Sequence, residues 1–291
     1  MKRTIELIAS YWTVAGDVYP MGPNEISPFP FVKRVEVAAR AGYRGLGLLH
    51  ADLMAVANRL GLSEMRRILE ANGMQHIELE FLSDWYAQGL ARAESDAVRR
   101  DLLEAAEALS ARCIKIAPGI GEPSLDNLAL QMPRMIESFA ALAREAASYG
   151  TSIALEIMPF SNIRTVSAAL ELVSTDPQPN GGLYLDIWHI ARGGIDYAEV
   201  ARIPQQWIKA VELDDADTDV VGTLWDDTRF HRRLCGKGAL DIPAFLKAID
   251  ETGYRGPYAV EIISQEHRRL PLEEEAKRSF ETTRAEFRHL D

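Results

Sequence analysis

The sequence of 291 residues lacks several features that would mark particular classes of protein. It has two cysteines, Cys113 and Cys235, which provide neither a disulfide framework nor the spacing of a zinc site. No apolar run approaches the roughly 18 residues of a membrane-spanning helix, and no secretory signal peptide is recognised. We therefore expect a cytoplasmic protein that does not enter a membrane.

Basic charge is also scarce, because 32 Lys and Arg stand against 43 Asp and Glu, for a net charge of −11. An acidic surface repels a phosphate backbone, so we expect no nucleic-acid partner. Apolar residues make up 47% of the chain, which is enough for a large core.

Short apolar segments alternate with longer segments of helical periodicity along the chain. The predicted strands are residues 5–10, 43–49, 76–82, 113–118, 152–157, 182–187, 208–213 and 258–263. Because a helical segment follows each strand, the sheet should be parallel, and eight such units close into a (β/α)₈ TIM barrel of the α/β class.

The alternative is a doubly wound open sheet, which usually carries a glycine-rich phosphate turn after its first strand. The segment IELIASYWTVAG has no such turn. No linker or low-complexity tract divides the chain, so we predict one domain, residues 1–291. Two strand-to-helix connections, roughly 11–27 and roughly 214–241, have the length of functional loops.

Four consecutive predicted strands carry an acid as their last or next-to-last residue, in the segments IALEI, LYLDI, KAVEL and YAVEI. These acids are Glu156, Asp186, Glu212 and Glu261. The carboxyl ends of barrel strands share one rim, so the four side chains should converge. Since their charges repel, we predict one divalent metal between them, with Mn²⁺ or Mg²⁺ suiting oxygen ligands best. Alternatively, each acid caps the next helix or pairs with an arginine.

Five motifs occur in a fixed order: ALEI with Glu156, LDIWH with Asp186 and His189, VELDD with Glu212, RRLCGKGALDIPAFLKAI at 232–249, and YRGPYAVEI with Glu261. In this order they resemble the xylose isomerase-like TIM barrels, also called the sugar phosphate isomerase/epimerase superfamily. The resemblance covers nearly the whole chain.

The resemblance implies that Glu156, Asp186, the strand-seven residue and Glu261 hold a metal. It also implies that His189 contacts substrate beside the metal and that Arg232 binds a substrate oxygen. The strand-seven ligand of the family is commonly His or Gln, whereas this chain has Glu212. Either Lys115 or Arg232 offsets the additional charge, or Glu212 lies behind the direct ligands.

Further residues at strand ends are candidates for the substrate pocket, each with a structural alternative. Lys115 is flanked by apolar residues within a strand, where a lysine is rarely buried unpaired, so it lines the pocket or forms a structural ion pair. His50, Glu80 and Trp12 line the pocket or are ordinary loop and core residues. His189 transfers a proton or is a core histidine.

We expect the chain to turn outward through Ile187 and Trp188 and to bring His189 back over the pocket.

The favoured function is a metal-dependent sugar or keto-polyol isomerase or epimerase that abstracts a proton next to a carbonyl, with Glu156 and Glu261 as opposed bases.

The same scaffold supports a dehydratase or lyase of the inosose, 3-dehydroshikimate or 3-oxo-glycoside type, in which His189 protonates the leaving group. An endonuclease and a non-catalytic binding subunit are remote alternatives. The expected partner is a small carbohydrate or polyol substrate. The scaffold also allows association into a homo- or hetero-oligomer.

Overall fold

The computed structural model describes residues 5–120 and 127–289, and within them eight parallel strands close into a barrel. The barrel strands are β1 (Leu7–Ala9), β2 (Gly45–Leu49), β3 (His76–Leu82), β4 (Cys113–Ile116), β5 (Ser152–Glu156), β6 (Gly181–Asp186), β7 (Ile208–Leu213) and β8 (Tyr258–Val260). They neighbour one another in chain order, and β1 closes the ring by pairing with both β2 and β8. The predicted TIM barrel is therefore confirmed, and the open sheet was the wrong alternative.

The predicted and observed strands agree best where an apolar run stops at a polar turn. The bounds of β3 and β7 match the prediction, whereas β8 ends at Val260 instead of residue 263. It ends early because the Ile262 amide donates to the Thr13 hydroxyl at 2.9 Å, which takes the chain out of the barrel ladder. Glu261 therefore lies just beyond its strand, at the rim.

Helices surround the barrel and fill the connections between its strands. They are α1 (Phe31–Ala41), α2 (His50–Leu60), α3 (Leu62–Ala71), α4 (Gly89–Leu109), α5 (Leu128–Ser148), α6 (Val166–Thr175), α7 (Ile187–Arg192), α8 (Tyr197–Val200), α9 (Leu224–Phe230), α10 (Ile242–Glu251) and α11 (Leu272–Glu286).

The sequence pattern did not predict α2, α7 or α9. The last of these lies inside the predicted long loop, where a capping box between Thr223 and Asp226 starts it. A two-residue ribbon, Asp215–Ala216 against Arg232–Arg233, flanks this helix and brings Arg232 to the rim.

The interior of the barrel contains small side chains just below the rim. Cys113, Ala154, Ala210 and Ala259 lie on four different strands and pack with Ile8 and Tyr184 in one buried cluster. Each of these four stands two residues before a charged residue of the same strand end, and alternation along a strand puts both on the inner face. The small residues leave room for the Tyr184 ring and for a lysine stem above it.

Both cysteines are buried and free of disulfides. In the described part of the chain, no helix combines the length and the apolar character needed to cross a bilayer. The assignment of residues 1–291 to a single domain stays a prediction.

Candidate active site

Six of the barrel strands bring a charged side chain to the same rim. The six side chains are those of Glu80 on β3, Lys115 on β4, Glu156 on β5, Asp186 on β6, Glu212 on β7, and Glu261 immediately after β8. All six residues are buried, each with 5% or less of its surface exposed. The structure thus brings together the four acids that the sequence predicted to converge, and it places Glu80 and Lys115, two of the residues proposed for the substrate pocket, beside them.

Lys115 occupies the middle of this group. Its Nζ lies 2.7 Å from Glu212 Oε2, 3.3 Å from Glu261 Oε1, 3.4 Å from Glu80 Oε2 and 3.7 Å from Glu156 Oε1. Burial disfavours its ammonium, but the surrounding carboxylates outweigh that effect and raise the pKa of Lys115 well above its ordinary value. Lys115 is therefore a pocket residue and the centre of an ion-pair network at the same time.

Arg232 forms a second ion-pair centre beside the first. Its Nη1 lies 2.8 Å from Asp186 Oδ2 and 3.2 Å from Glu261 Oε2, and it also pairs with Asp214. The guanidinium donates further to the Thr228 hydroxyl at 2.9 Å. Arg232 lines the cavity, as predicted for a substrate-binding residue, but its donors are engaged by protein oxygens.

Asp186 combines two of the roles that the sequence left open. Its Oδ1 accepts a hydrogen bond from the Trp188 amide at 2.7 Å and caps α7, while its Oδ2 accepts from Arg232. The expected outward course after Asp186 is wrong, because Ile187 and Trp188 are fully buried. The capped helix starts at Ile187, so these two side chains pack into the core.

His189 lies on α7 beside the acids, at the cavity. Its Nε2 is 3.6 Å from Asp186 Oδ2 and 3.8 Å from Glu156 Oε1. Burial lowers the pKa of His189 to about 3, although the Asp186 carboxylate opposes that shift. The rings of Phe160 and Trp188 flank the imidazole, with centroids 5.6 Å and 5.0 Å away. The neutral imidazole is thus held in an aromatic wall.

Carboxylates outnumber cations at this rim. Six acids contact the two cations, namely Glu80, Glu156, Asp186, Glu212, Asp214 and Glu261 around Lys115 and Arg232.

The excess of acids is reflected in their pKa values. Burial, together with the neighbouring carboxylates, raises the pKa of Glu80, Glu212 and Glu261 to about 7 each. It raises the pKa of Glu156 well above its usual range. Asp186 is the exception: burial alone would raise its pKa, but the neighbouring basic groups, Arg232 first among them, together hold it below the ordinary value. A further positive charge would relieve this repulsion.

The donor atoms fit a divalent cation. Ligand atoms of Glu156, Asp186 and His189 lie within 4.8 Å of one another, as do oxygens of Asp186, Glu212 and Glu261. Glu156 Oε1 is buried without a hydrogen-bond partner among the described residues. The nearest cation, the Lys115 ammonium, is 3.7 Å away. A buried carboxylate oxygen without a hydrogen bond is costly, and a hard cation is a suitable partner for it.

A cavity of about 480 Å³ opens above the charged rim. Its described lining includes every residue that the sequence proposed for substrate binding, namely Trp12, His50, Glu80, Lys115 and Arg232. His50 is also paired with Asp101, with its Nε2 2.9 Å from Asp101 Oδ2.

The walls of the cavity are largely apolar. Phe81, Met158, Phe160, Trp225 and Ile263 contribute to them along with Trp12. Phe160 packs edge-to-face on Trp225 with ring centroids 5.3 Å apart, which gives one wall an aromatic surface. The arrangement suits a ligand with one oxygen-rich end and one apolar face.

Sequence reasoning missed Ser10 and Tyr184, which hold Glu212 from two sides. The Ser10 hydroxyl donates to Glu212 Oε1 at 2.5 Å, and the Tyr184 hydroxyl donates to the same oxygen at 3.1 Å. Tyr184 stands two residues before Asp186, so strand alternation carries the signal that both face inward. Ser10 directly follows β1, and a polar residue at that position is typical of any strand end, so it carries no signal of a functional role.

A family model described as xylose isomerase-like TIM barrel matches residues 35–286. The chain belongs to the xylose isomerase-like TIM barrel family. The resemblance found in the sequence motifs is thereby confirmed.

Members of the family that resemble this chain include enzymes of two types. An inosose isomerase of Halalkalibacterium halodurans is 25% identical over 257 residues, which cover 87% of this chain and 89% of that protein. A 3-dehydroshikimate dehydratase of Pseudomonas aeruginosa is 27% identical over 250 residues, which cover 82% of this chain and 37% of that protein.

A solved structure shares the fold of nearly the whole chain. The IOLI protein, determined with a bound zinc atom, superposes with a TM-score of 0.84 at 21% identity, over 97% of this chain and 98% of that one.

Proposed function

We propose that this barrel is a divalent-metal-dependent isomerase or epimerase that acts on a keto-polyol such as an inosose. One observation carries the proposal. Glu156 and Glu261, which stand on β5 and beyond β8, both line the cavity and both approach the same ammonium, that of Lys115. Two bases on different sides of one substrate can remove a proton and return it at another position.

The metal would be held chiefly by Glu156, Asp186 and Glu261, with His189 beside it. A divalent ion bound there would polarise a substrate carbonyl and its neighbouring hydroxyl, acting as a Lewis acid. The buried Oε1 of Glu156, which accepts no hydrogen bond from the described residues, and the excess of carboxylates support this assignment. Mn²⁺ and Mg²⁺ suit a set of oxygen donors, and one imidazole keeps Zn²⁺ among the ions to be tested.

The protein groups divide the remaining work of the reaction. One of the two glutamates removes the proton from the carbon next to the carbonyl, and the other returns a proton to a neighbouring carbon or to the opposite face. His189 Nε2 faces the same region and can hold a substrate hydroxyl by accepting its hydrogen bond. Phe160 and Trp225 can stack on the apolar face of a ring and exclude water from it.

Dehydration or β-elimination is the second candidate, and the similarity to 3-dehydroshikimate dehydratases favours it. The first proton abstraction is the same, but the second step expels a hydroxide or alkoxide from the adjacent carbon. Both reactions need a carbohydrate-like ketone as substrate. The product therefore separates the two functions.

A substrate panel tests the proposal. Purified protein loaded with Mn²⁺, Mg²⁺ or Zn²⁺ is incubated in D₂O with inososes, ketoses, 3-dehydroshikimate and 3-oxo-glycosides, and the products are followed by NMR. We expect an isomeric ketone that carries deuterium next to the carbonyl. An unsaturated product would identify the lyase function instead.

Glu156→Gln and Glu261→Gln should each abolish formation of the isomeric ketone, because one base must remove the proton and the other must return it. Glu266→Gln, a change at an exposed residue that lies outside the site, is the matched control and should leave formation of the isomeric ketone unchanged. Full formation of the isomeric ketone in both site variants would contradict the assignment of the two glutamates as bases.

That the protein is cytoplasmic, and that it forms a homo- or hetero-oligomer, stay predictions.

A further inference from the structure

The acids of the rim differ in how many donor groups already surround them. A carboxylate has about four lone-pair sites for donors or metals. Three donor groups lie against Glu212: Oε1 accepts from Ser10, Oε2 accepts from Lys115 at 2.7 Å, and the Tyr184 hydroxyl, whose single proton is shared with Glu78, lies 3.1 Å from Oε1. Asp186 accepts two hydrogen bonds, from Trp188 and Arg232.

The position of Glu212 agrees with this count. The described lining of the cavity includes Lys115, Glu156 and Glu261 but neither Glu212 nor Asp186. Asp186 nevertheless faces the other donors, since its Oδ2 lies 3.6 Å from His189 Nε2. Glu212 has no exposed surface and lies behind the Lys115 ammonium.

Lys115 itself is fixed in this position. Its Nζ lies 4.3 Å from the centroid of the Tyr184 ring, whose hydroxyl reaches Glu212 and also donates to Glu78 at 2.8 Å. The ring, the hydroxyl and the carboxylate therefore hold the ammonium from one side. The pairing unites β4, β6 and β7 beneath the cavity.

We propose that Lys115 and Glu212 form one fixed ion pair, in which Glu212 serves as the counter-ion of Lys115 and is not a metal ligand. The proposal rests on the proposed metal site and deepens it. Three carboxylates, those of Glu156, Asp186 and Glu261, remain for the metal. Lys115 presents a permanent positive charge to the cavity at the edge of that site.

The pair has a testable consequence for metal affinity. A cation beside a divalent ion repels it, so removing the ammonium strengthens metal binding. Replacing both members of a buried ion pair by neutral residues of similar size leaves no uncompensated charge and is commonly tolerated. A variant without either charge should therefore keep its metal if Glu212 is not a ligand.

The experiment compares Mn²⁺ binding by calorimetry, and metal content by elemental analysis, in four full-length proteins. These are the wild type, Glu156→Gln, Lys115→Met and the double variant Lys115→Met/Glu212→Met, in which position 212 has no oxygen donor. Glu156→Gln is the ligand control because it removes the charge of a predicted direct ligand. Circular dichroism and thermal melts establish that each variant is folded.

We expect the double variant to bind Mn²⁺ within about tenfold of the wild type, and Glu156→Gln to bind at least about 100-fold more weakly. Lys115→Met should bind at least about tenfold more tightly than the wild type. Should Lys115→Met fail to fold, the double variant decides the question alone.

Loss of metal from the double variant to the level of Glu156→Gln would show that Glu212 is a direct ligand and would overturn the inference, while the proposed function stands. A wild type that takes up no Mn²⁺, Mg²⁺ or Zn²⁺ would overturn the proposed metal site and this inference with it.

Discussion

Glu275 on α11 is a buried acid with no assigned role, and its protonation should make the stability of the barrel depend on pH. The residue has no exposed surface, and neither carboxylate oxygen has a hydrogen-bond partner among the described residues. Burial, with a smaller contribution from the negative charge of Asp17, raises the pKa of Glu275 from 4.5 to about 9.

The direction of the effect follows from the linkage between protonation and folding. The folded state holds the proton more tightly than the unfolded state, so stability is highest below the unfolded pKa of Glu275 and falls as the pH rises toward 9. One pKa unit corresponds to about 1.4 kcal/mol, and the interval from 4.5 to pH 7 gives a cost of at most about 3.5 kcal/mol.

Glu275→Gln removes the ionisation and keeps the shape of the side chain. We expect its free energy of unfolding at pH 7 to exceed that of the wild type by about 1–3 kcal/mol, because the buried amide keeps part of the desolvation cost. The advantage should grow between pH 5 and pH 9 and vanish near pH 4. Urea unfolding followed by circular dichroism at several pH values measures it.

Glu281→Gln is the control, since Glu281 is exposed on the same helix. Its unfolding free energy should stay within about 0.5 kcal/mol of the wild type at each pH. An equal and constant offset of Glu275→Gln from the wild type across the pH range would refute the reasoning. It would mean that Glu275 is ionised in the folded protein.

Three further changes test the site. His189→Ala should keep the fold and most of the metal but lower turnover by about tenfold, the effect of one lost hydrogen bond to substrate, measured by elemental analysis and initial rates; normal turnover would make His189 a packing residue. Phe160→Ala should raise KM with little change in kcat, because a ring-stacking wall is lost; an unchanged KM would remove Phe160 from the binding surface. Tyr184→Phe should lower the free energy of unfolding by about 1–3 kcal/mol, since the one buried proton that Tyr184 shares between Glu78 and Glu212 is lost, and a thermal melt equal to that of the wild type would contradict this.

The barrel could be predicted from the sequence because its signal is repeated many times. Each strand is a short apolar run and most long helices show clear periodicity, so an error at one element does not change the architecture. The short helices α7 and α9 were missed for the opposite reason, whereas the 11-residue α2 was missed because it begins at His50 directly after β2, without a side-chain cap. A helix of a few residues has too few apolar positions for a pattern, and local caps such as that of Thr223 decide where it starts.

The candidate site could be predicted only in part, because charge alone does not select a partner. Four acids at successive strand ends predict convergence at one rim, and the structure brings them together there. The partner of Lys115 could not be predicted, since four carboxylates from four strands lie within 3.7 Å of its Nζ. Which one it holds most closely depends on hydroxyl donors from β6 and the end of β1, whose approach is a property of the closed barrel.

The ion pair also accounts for the unusual residue at strand seven. A neutral ligand is expected at that position from the family pattern, and a lone glutamate there would add a negative charge to a site that already has an excess of them. Lys115 cancels that charge at 2.7 Å, so the pair contributes no net charge, as a neutral residue would.

The two residues should therefore be exchanged together in an engineered site. Glu212→His alone would leave the Lys115 ammonium beside the metal without its hydrogen-bonded carboxylate. Glu212→His combined with Lys115→Val would place a neutral ligand beside a neutral side chain. Mn²⁺ titration of the two variants measures the difference, and we expect tighter binding in the double variant. Tighter or equal binding in Glu212→His alone would show that Lys115 does not act on the metal.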